Sequence, residues 1–267
     1  MLAIGVGAGV DKGELNSIAT DPDSQNVYLA QSFDALAGLK GLLAAKACGV
    51  AQPKPSQNPG PQKCGSKADM VFMIDSSGSV GRANFQKLLD FMNELTKDLE
   101  IGQDKIRVGV EKFSSRPYNE FNLNSQNSKA SLQAAINNIK FQSGGTNTGD
   151  AITYLDQNMF KQANGDRPGV PNIAVIITDG RSNKPDETKA AAKLARQHGI
   201  EVFSVGVGKG VSKTELNEMA SDPDNTHVLM VDDFNKLGSI KGAFQQQTCA
   251  AIPVTLPTHI KNSSLDH

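Results

Sequence analysis

Apolar and polar positions along residues 64–249 follow two periods in turn. Runs that are apolar throughout, such as Met70-Val71-Phe72-Met73-Ile74 and the stretch at 172–178, read as strands covered on both faces. Between them lie amphipathic stretches. Over 82–99 the apolar positions Phe85, Leu88, Leu89, Met92, Leu95 and Leu99 fall on one face at helical spacing. The same reading predicts strands at 69–75, 106–113, 172–178, 200–207 and 227–231, and an edge strand near 117–123. It predicts helices at 128–140, 147–160, 186–198, 212–221 and 233–247. Strand and helix alternate, so the expected fold is α/β: a three-layer, doubly wound, Rossmann-like sheet. The sheet is mostly parallel, with one antiparallel edge strand and helices on both faces.

The chain also repeats itself. At one offset of 201 residues, Gly5-Val6-Gly7 meets Gly206-Val207-Gly208, and Glu14-Leu15-Asn16 meets Glu215-Leu216-Asn217. At the same offset Asp21-Pro22-Asp23 meets Asp222-Pro223-Asp224, and Cys48 meets Cys249. From Ile4 to Cys48, 19 of 45 positions are identical without a gap, far beyond chance. Residues 1–48 therefore read as the C-terminal part of a first domain whose front is missing, and 64–249 as a complete second copy. Residues 49–63, rich in Pro, Gln and Gly, read as an extended linker, and 250–267 as a tail or further linker.

Three cysteines fit that arrangement. Cys64 and Cys249 flank the complete copy, and domain ends often lie close together, so a disulfide between them is expected. Cys48 would have its partner in the missing part; the alternative is three buried thiols. A net charge of −1 offers no broad basic field for nucleic acid. No apolar run approaches membrane-spanning length, and residues 2–10 lack the features of a signal peptide. Asn262-Ser263-Ser264 is a glycosylation sequon, weak support for secretion because such triplets recur by chance.

The chemistry lies at strand ends. Asp75-Ser76-Ser77-Gly78-Ser79 follows the first strand, Gly144-Gly145-Thr146-Asn147-Thr148-Gly149 precedes a helix, and Thr178-Asp179-Gly180 follows the 172–178 strand. Ligands of such sheets bind beyond the carboxyl ends of the strands. Carboxylate and hydroxyl oxygens converging there suit a hard divalent cation, with Mg²⁺ first and Mn²⁺ or Ca²⁺ as alternatives. Taken alone, Asp75 and its serines could simply cap the next helix; Thr146 and Asp179 at matching strand ends favour the metal. Gly5-Val6-Gly7 and Gly206-Val207-Gly208 lack dinucleotide-loop spacing. His198, His227, His259 and His267 are scattered.

These three loops resemble the motifs of the von Willebrand factor type A domain family. Asp75-Ser76-Ser77-Gly78-Ser79 is similar to its DxSxS motif, Gly145-Thr146 to its threonine loop, and Thr178-Asp179-Gly180 to its second acidic loop. The resemblance implies a metal-ion-dependent adhesion site (MIDAS). Ser77 and Ser79 would ligate directly, Asp75 and Asp179 mainly through water, and Thr146 directly or through water. One coordination position would stay open to a partner's carboxylate. Terminal cysteines, tandem copies and the proline-rich linker resemble matrix members: matrilins, collagen type VI, and byssus or shell proteins. A secreted, non-enzymatic module of the extracellular matrix is implied, with matrix proteins, collagen among them, and self-assembly as partners. One departure is Glu111, where relatives carry an apolar residue. A sheet margin or pairing with Lys112 or another cation would accommodate it. Two alternatives stand: a structural spacer or polymerising module that does not use the metal, and a Mg²⁺-dependent phosphohydrolase. The latter needs a second carboxylate where Ser77 stands.

Overall fold

The computed structural model describes residues 3–6, 10–19, 27–30 and 65–252. The chain divides into two units, residues 1–61 and 62–267.

In the first unit, strand β1 (Ala3–Val6) pairs in parallel with β2 (Val27–Ala30), and helix α1 (Lys12–Ile18) lies between them in sequence. Asp11 caps α1 by accepting from Gly13 and Glu14 N–H. The linker and the tail from residue 253, with Cys48, Cys64, Asn262 and His259, lie outside the described residues, whereas Ala250 of the expected tail is helical and Ile252 is buried.

The second unit holds a six-stranded sheet. Its strands are β3 (Ala68–Asp75), β4 (Ile106–Phe113), β5 (Pro117–Phe121), β6 (Asn172–Thr178), β7 (Ile200–Val207) and β8 (Val228–Val231). Their spatial order is β5-β4-β3-β6-β7-β8, all parallel except β5, which runs antiparallel to β4. Every residue of β3 is buried, because it lies mid-sheet with helices on both faces. On one face Met70, Phe72, Ile74 and Val108 pack under helices α2 (Gly81–Thr96) and α3 (Lys129–Asn137). A 3₁₀ segment at Phe234–Ile240 and the last helix complete that layer. On the other face Val71, Met73, Phe113 and Ile176 meet α4 (Thr148–Tyr154), α5 (Pro185–Gln197) and α6 (Lys213–Met219). A single turn, α7 (Asp224–His227), precedes β8, and α8 (Lys241–Ala250) ends the unit. Gly65 N–H donates to the Ile252 carbonyl at 3.1 Å, so start and finish of this unit meet.

The two units share a register. β1 pairs Ala3 with Val27 through Val6 with Ala30, and β7 pairs Ser204 with Val228 through Val207 with Val231. Those pairs, and helices α1 and α6, coincide at the 201-residue offset.

Several predicted elements end differently. The helix expected over 147–160 is α-helical only to Tyr154, then widens into a π-turn over Leu155–Met159 that seats both of those side chains in the core. The helix expected over 128–140 stops at Asn137, since Asn137 and Asn138 are poor helix formers and Ile139 turns inward. The last helix opens as 3₁₀, where the Asp233 side chain accepts from Asn235 N–H.

Glu111 departs from both accommodations foreseen for it. It is fully buried within β4, flanked by β3 and β5, and neither carboxylate oxygen has a hydrogen-bond partner among the described residues. Lys112 pairs instead with Glu120 at 2.7 Å and donates to the Lys140 carbonyl, because consecutive strand residues face opposite sides.

Candidate metal centre

β3 lies between β4 and β6, the point where the chain leaves the central strand first to one side and then to the other. Loops diverge there, leaving a crevice above the strand ends. Register sets Ile74 beside Ile177, so the residues just beyond these two strands are neighbours.

Asp75 ends β3, fully buried. Its Oδ1 accepts from Ser77 N–H at 2.7 Å, and its Oδ2 from the Thr178 hydroxyl at 2.6 Å. The chain then turns back over itself. Ser77 Oγ and Ser79 Oγ lie 3.0 Å apart, and Ser79 donates to Asp179 Oδ1 at 2.8 Å. Four of the five predicted oxygens donors, from Asp75, Ser77, Ser79 and Asp179, thus form one chain of contacts. The helix-cap alternative fails, since α2 starts after Val80 with no side-chain cap.

Thr146, buried, comes in on a third loop, which joins α3 to α4 and is not at the strand end expected for it. That loop is docked through Gly144, whose carbonyl accepts from Gly78 N–H at 2.9 Å. Gly144 has φ +126°, and a Cβ there would lie 2.8 Å from Ser115 Oγ, so only glycine fits this approach. Among the described residues no hydrogen bond engages the Thr146 hydroxyl; its carbonyl accepts from Asn183 N–H at 2.9 Å.

A supporting shell was missed in the sequence. Ser76, between the two motif serines, faces the other way: its Oγ accepts from Gln142 N–H at 2.7 Å and its N–H donates to the Phe113 carbonyl. Ser115 Oγ accepts from Gly145 N–H, and Asn147 Nδ2 donates to the Ser115 carbonyl, each at 2.8 Å. Ser182 N–H donates to Glu215 Oε1 at 2.8 Å, and the Thr188 hydroxyl donates to Ser182 Oγ at 2.8 Å. The only signal for Glu215 was its identity with Glu14 in the repeat.

Burial pushes the Asp75 carboxyl above its ordinary range, and the nearby charge of Asp179 adds to the rise against the bonds from Thr178 and Ser77. Burial likewise raises Asp179, against the bond from Ser79. Neither carboxylate has a Lys, Arg or His ion-pair partner among the described residues. Nor do three or more His, Cys, Asp or Glu side chains gather about one point there. Two partly desolvated carboxylates with hydroxyls between them are a donor set that fits a hard divalent cation and not a soft one. A cation would supply the charged partner that these two carboxylates lack among the described residues.

A model of the von Willebrand factor type A domain matches residues 69–243. The chain belongs to the von Willebrand factor type A domain family. It is 32% identical over 281 residues to matrilin-1 of Gallus gallus, covering 93% of this chain and 56% of that protein. It is 34% identical over 187 residues to the collagen alpha-1(XII) chain of Notophthalmus viridescens, covering 70% of this chain and 20% of that one. The chain therefore spans about half the length of the matrilins it matches. Among solved structures it is similar to proximal thread matrix protein 1 from the mussel byssus, at 27% identity and a TM-score of 0.62 over 93% of this chain and 60% of that one. A structure of the same byssus protein with a zinc-occupied MIDAS motif matches at 28% identity and a TM-score of 0.63, over 93% and 59%.

As a type A domain, the second unit has the doubly wound fold its residues predicted. Its relatives are structural proteins of the extracellular matrix, and the chain shares that location. Among the described residues, no helix is long and apolar enough to cross a membrane.

Proposed function

We propose that the second unit is a metal-dependent adhesion and assembly module, non-enzymatic like its structural relatives. Asp75, Ser77, Ser79, Thr146 and Asp179 would hold one divalent cation, Mg²⁺ in preference to Mn²⁺ or Ca²⁺. The cation would act as an electrophile toward a carboxylate of a partner protein. The chain's own residues do the rest. Asp75 anchors the serine turn, Thr178 and Ser77 N–H orient that carboxylate, and Gly144 sets the third loop against Gly78. Partners on this reading are other matrix proteins, with collagen the first to test, or further copies of the same chain. Residues 1–48 and 64–249 would be two copies of the domain, joined by the linker 49–63, with Cys64 and Cys249 closing the second. Two engaged copies would add avidity.

The observation that carries this reading is the contact chain from Asp75 through Ser77 and Ser79 to Asp179. Isothermal titration of Mg²⁺ into the wild-type chain and Asp179→Ala tests it. Binding weakened at least about tenfold in the variant is expected; equal affinity overturns the assigned site. Capture of collagen or other matrix proteins, with and without EDTA, then separates metal-dependent adhesion from a spacer role.

A further inference from the structure

The chain has six arginines, and the fold sorts them into two sets. Arg167 is tied to Asp69 and to the Ala68 and Lys105 carbonyls. Arg107 donates to the Gln103 and Gly165 carbonyls, and Arg196 to those of Glu218 and Met219. These three staple the scaffold. The other three, Arg82, Arg116 and Arg181, are exposed, and none makes an ion pair among the described residues.

Each lies within a few residues of a loop that builds the Asp75–Asp179 corner: Arg82 three past Ser79, Arg116 beside Ser115, Arg181 two past Asp179. Arg181 is two residues past Asp179; it draws the Glu215 carboxyl down slightly against burial but is not paired with it. Arg116 follows Ser115, which holds Gly145 N–H, and its guanidinium lies 4.6 Å from the Tyr118 ring centroid. Arg82 is in the first turn of α2, 6.0 Å from the Phe141 ring centroid, beside the loop held by Ser76. Lys209, also exposed, precedes Gly210, where a Cβ would lie 2.5 Å from the Asp179 carbonyl. The nearby acids Asp150 and Glu187 act on Lys184. An arginine facing water without an internal acid keeps donors of its planar fork for an external carboxylate, although Arg116 also bonds the Tyr118 side chain.

We propose that this rim reads clustered acids: the partner segment presents a carboxylate to the cation and flanking Asp or Glu side chains to Arg82, Arg116 and Arg181. The proposal rests on the metal-bridge reading above and adds the class of partner, an acidic polypeptide segment.

The test uses the full chain and fluorescent Gly/Ser peptides carrying either one Glu or three closely spaced Glu, with heparin as a sulfated comparison. In Mg²⁺ the three-Glu peptide is expected to bind about tenfold tighter than the one-Glu peptide, as a few screened surface pairs would allow. Raising salt from about 0.05 to 0.5 M should erase that gain. Arg82→Gln/Arg116→Gln/Arg181→Gln should abolish the gain while leaving Mg²⁺ affinity and one-Glu binding within about twofold, which also reports that the variant is folded. A three-Glu advantage that survives the triple substitution overturns the arginine rim and leaves the metal reading standing. Arginine-dependent peptide binding that EDTA does not touch overturns the metal reading, and the shared-carboxylate proposal with it. Arginine-dependent heparin binding with no three-Glu preference overturns the choice of partner.

Discussion

Glu111 is the residue at which this chain works against its own stability. Its carboxyl, buried without a partner among the described residues, is pushed well above its ordinary value of 4.5, and burial is the cause. The unfolded chain releases this proton near that ordinary value, whereas the folded chain retains it to higher pH. Between the two values the folded state binds more protons, so stability falls as pH rises, at about 1.4 kcal/mol per pH unit for one proton. Asp75, Asp179, Asp69 and Glu215 are raised as well, so the wild-type slope is not due to Glu111 alone. The comparison that isolates it is Glu111→Leu. We expect that variant to be more stable by roughly 1–3 kcal/mol near neutrality, with an advantage that grows as pH rises from the ordinary carboxyl value toward neutrality. Urea unfolding at several pH values measures this; an equal or reversed difference across that range would disprove it.

At the scale of elements, Ser182 ties three pieces together. Its N–H donates to Glu215 of α6, its Oγ accepts from Thr188 of α5 and from Lys184 N–H, and it lies 3.5 Å from the Thr146 carbonyl. The position of the Asp179 loop is therefore set by a helix that begins more than thirty residues later. Glu215→Ala leaves a buried N–H unpaired, at a cost of about 1–3 kcal/mol. We expect lower thermal stability and weaker Mg²⁺ binding, with Glu215→Gln recovering most of both because it keeps the acceptor. Calorimetry and thermal melts decide it: unchanged Mg²⁺ affinity in Glu215→Ala would mean the loop holds itself. The α4–α5 contact is just as close, since a Cβ on Gly149 would lie 2.9 Å from Thr188 N. Gly149→Ala should cost about 1–3 kcal/mol by overpacking, read from the same melts.

For the whole molecule, closure of the second unit matters most. Cys249 is disulfide-bonded, and Gly65 meets Ile252, so the unit's ends are adjacent. We propose Cys64 as its partner, which peptide mapping without reduction would identify. Reduction should then lower stability by about 2–5 kcal/mol, since an open chain regains the freedom the link removes. A Cys48–Cys249 peptide in place of Cys64–Cys249 would reject the pairing.

Much of this protein was legible in the order of its residues because the relevant facts are local. Apolar runs with no polar face mark strands covered on both sides, as β3 and β6 are, and the 3.6-residue stripe of α2 needs only neighbours to be seen. The three oxygen-rich loops and the 201-residue repeat are likewise properties of short stretches. Tertiary structure alone decided which distant groups became partners. Thr178 reaches Asp75 across 103 residues, and Glu215 reaches Ser182 across 33. It also decided that Glu111 is buried without a partner among the described residues, and that three arginines are bound into the scaffold while three face outward. Such pairings depend on strand register and helix docking, which arise when the whole sheet closes and leave no mark in the periodicity of any one segment.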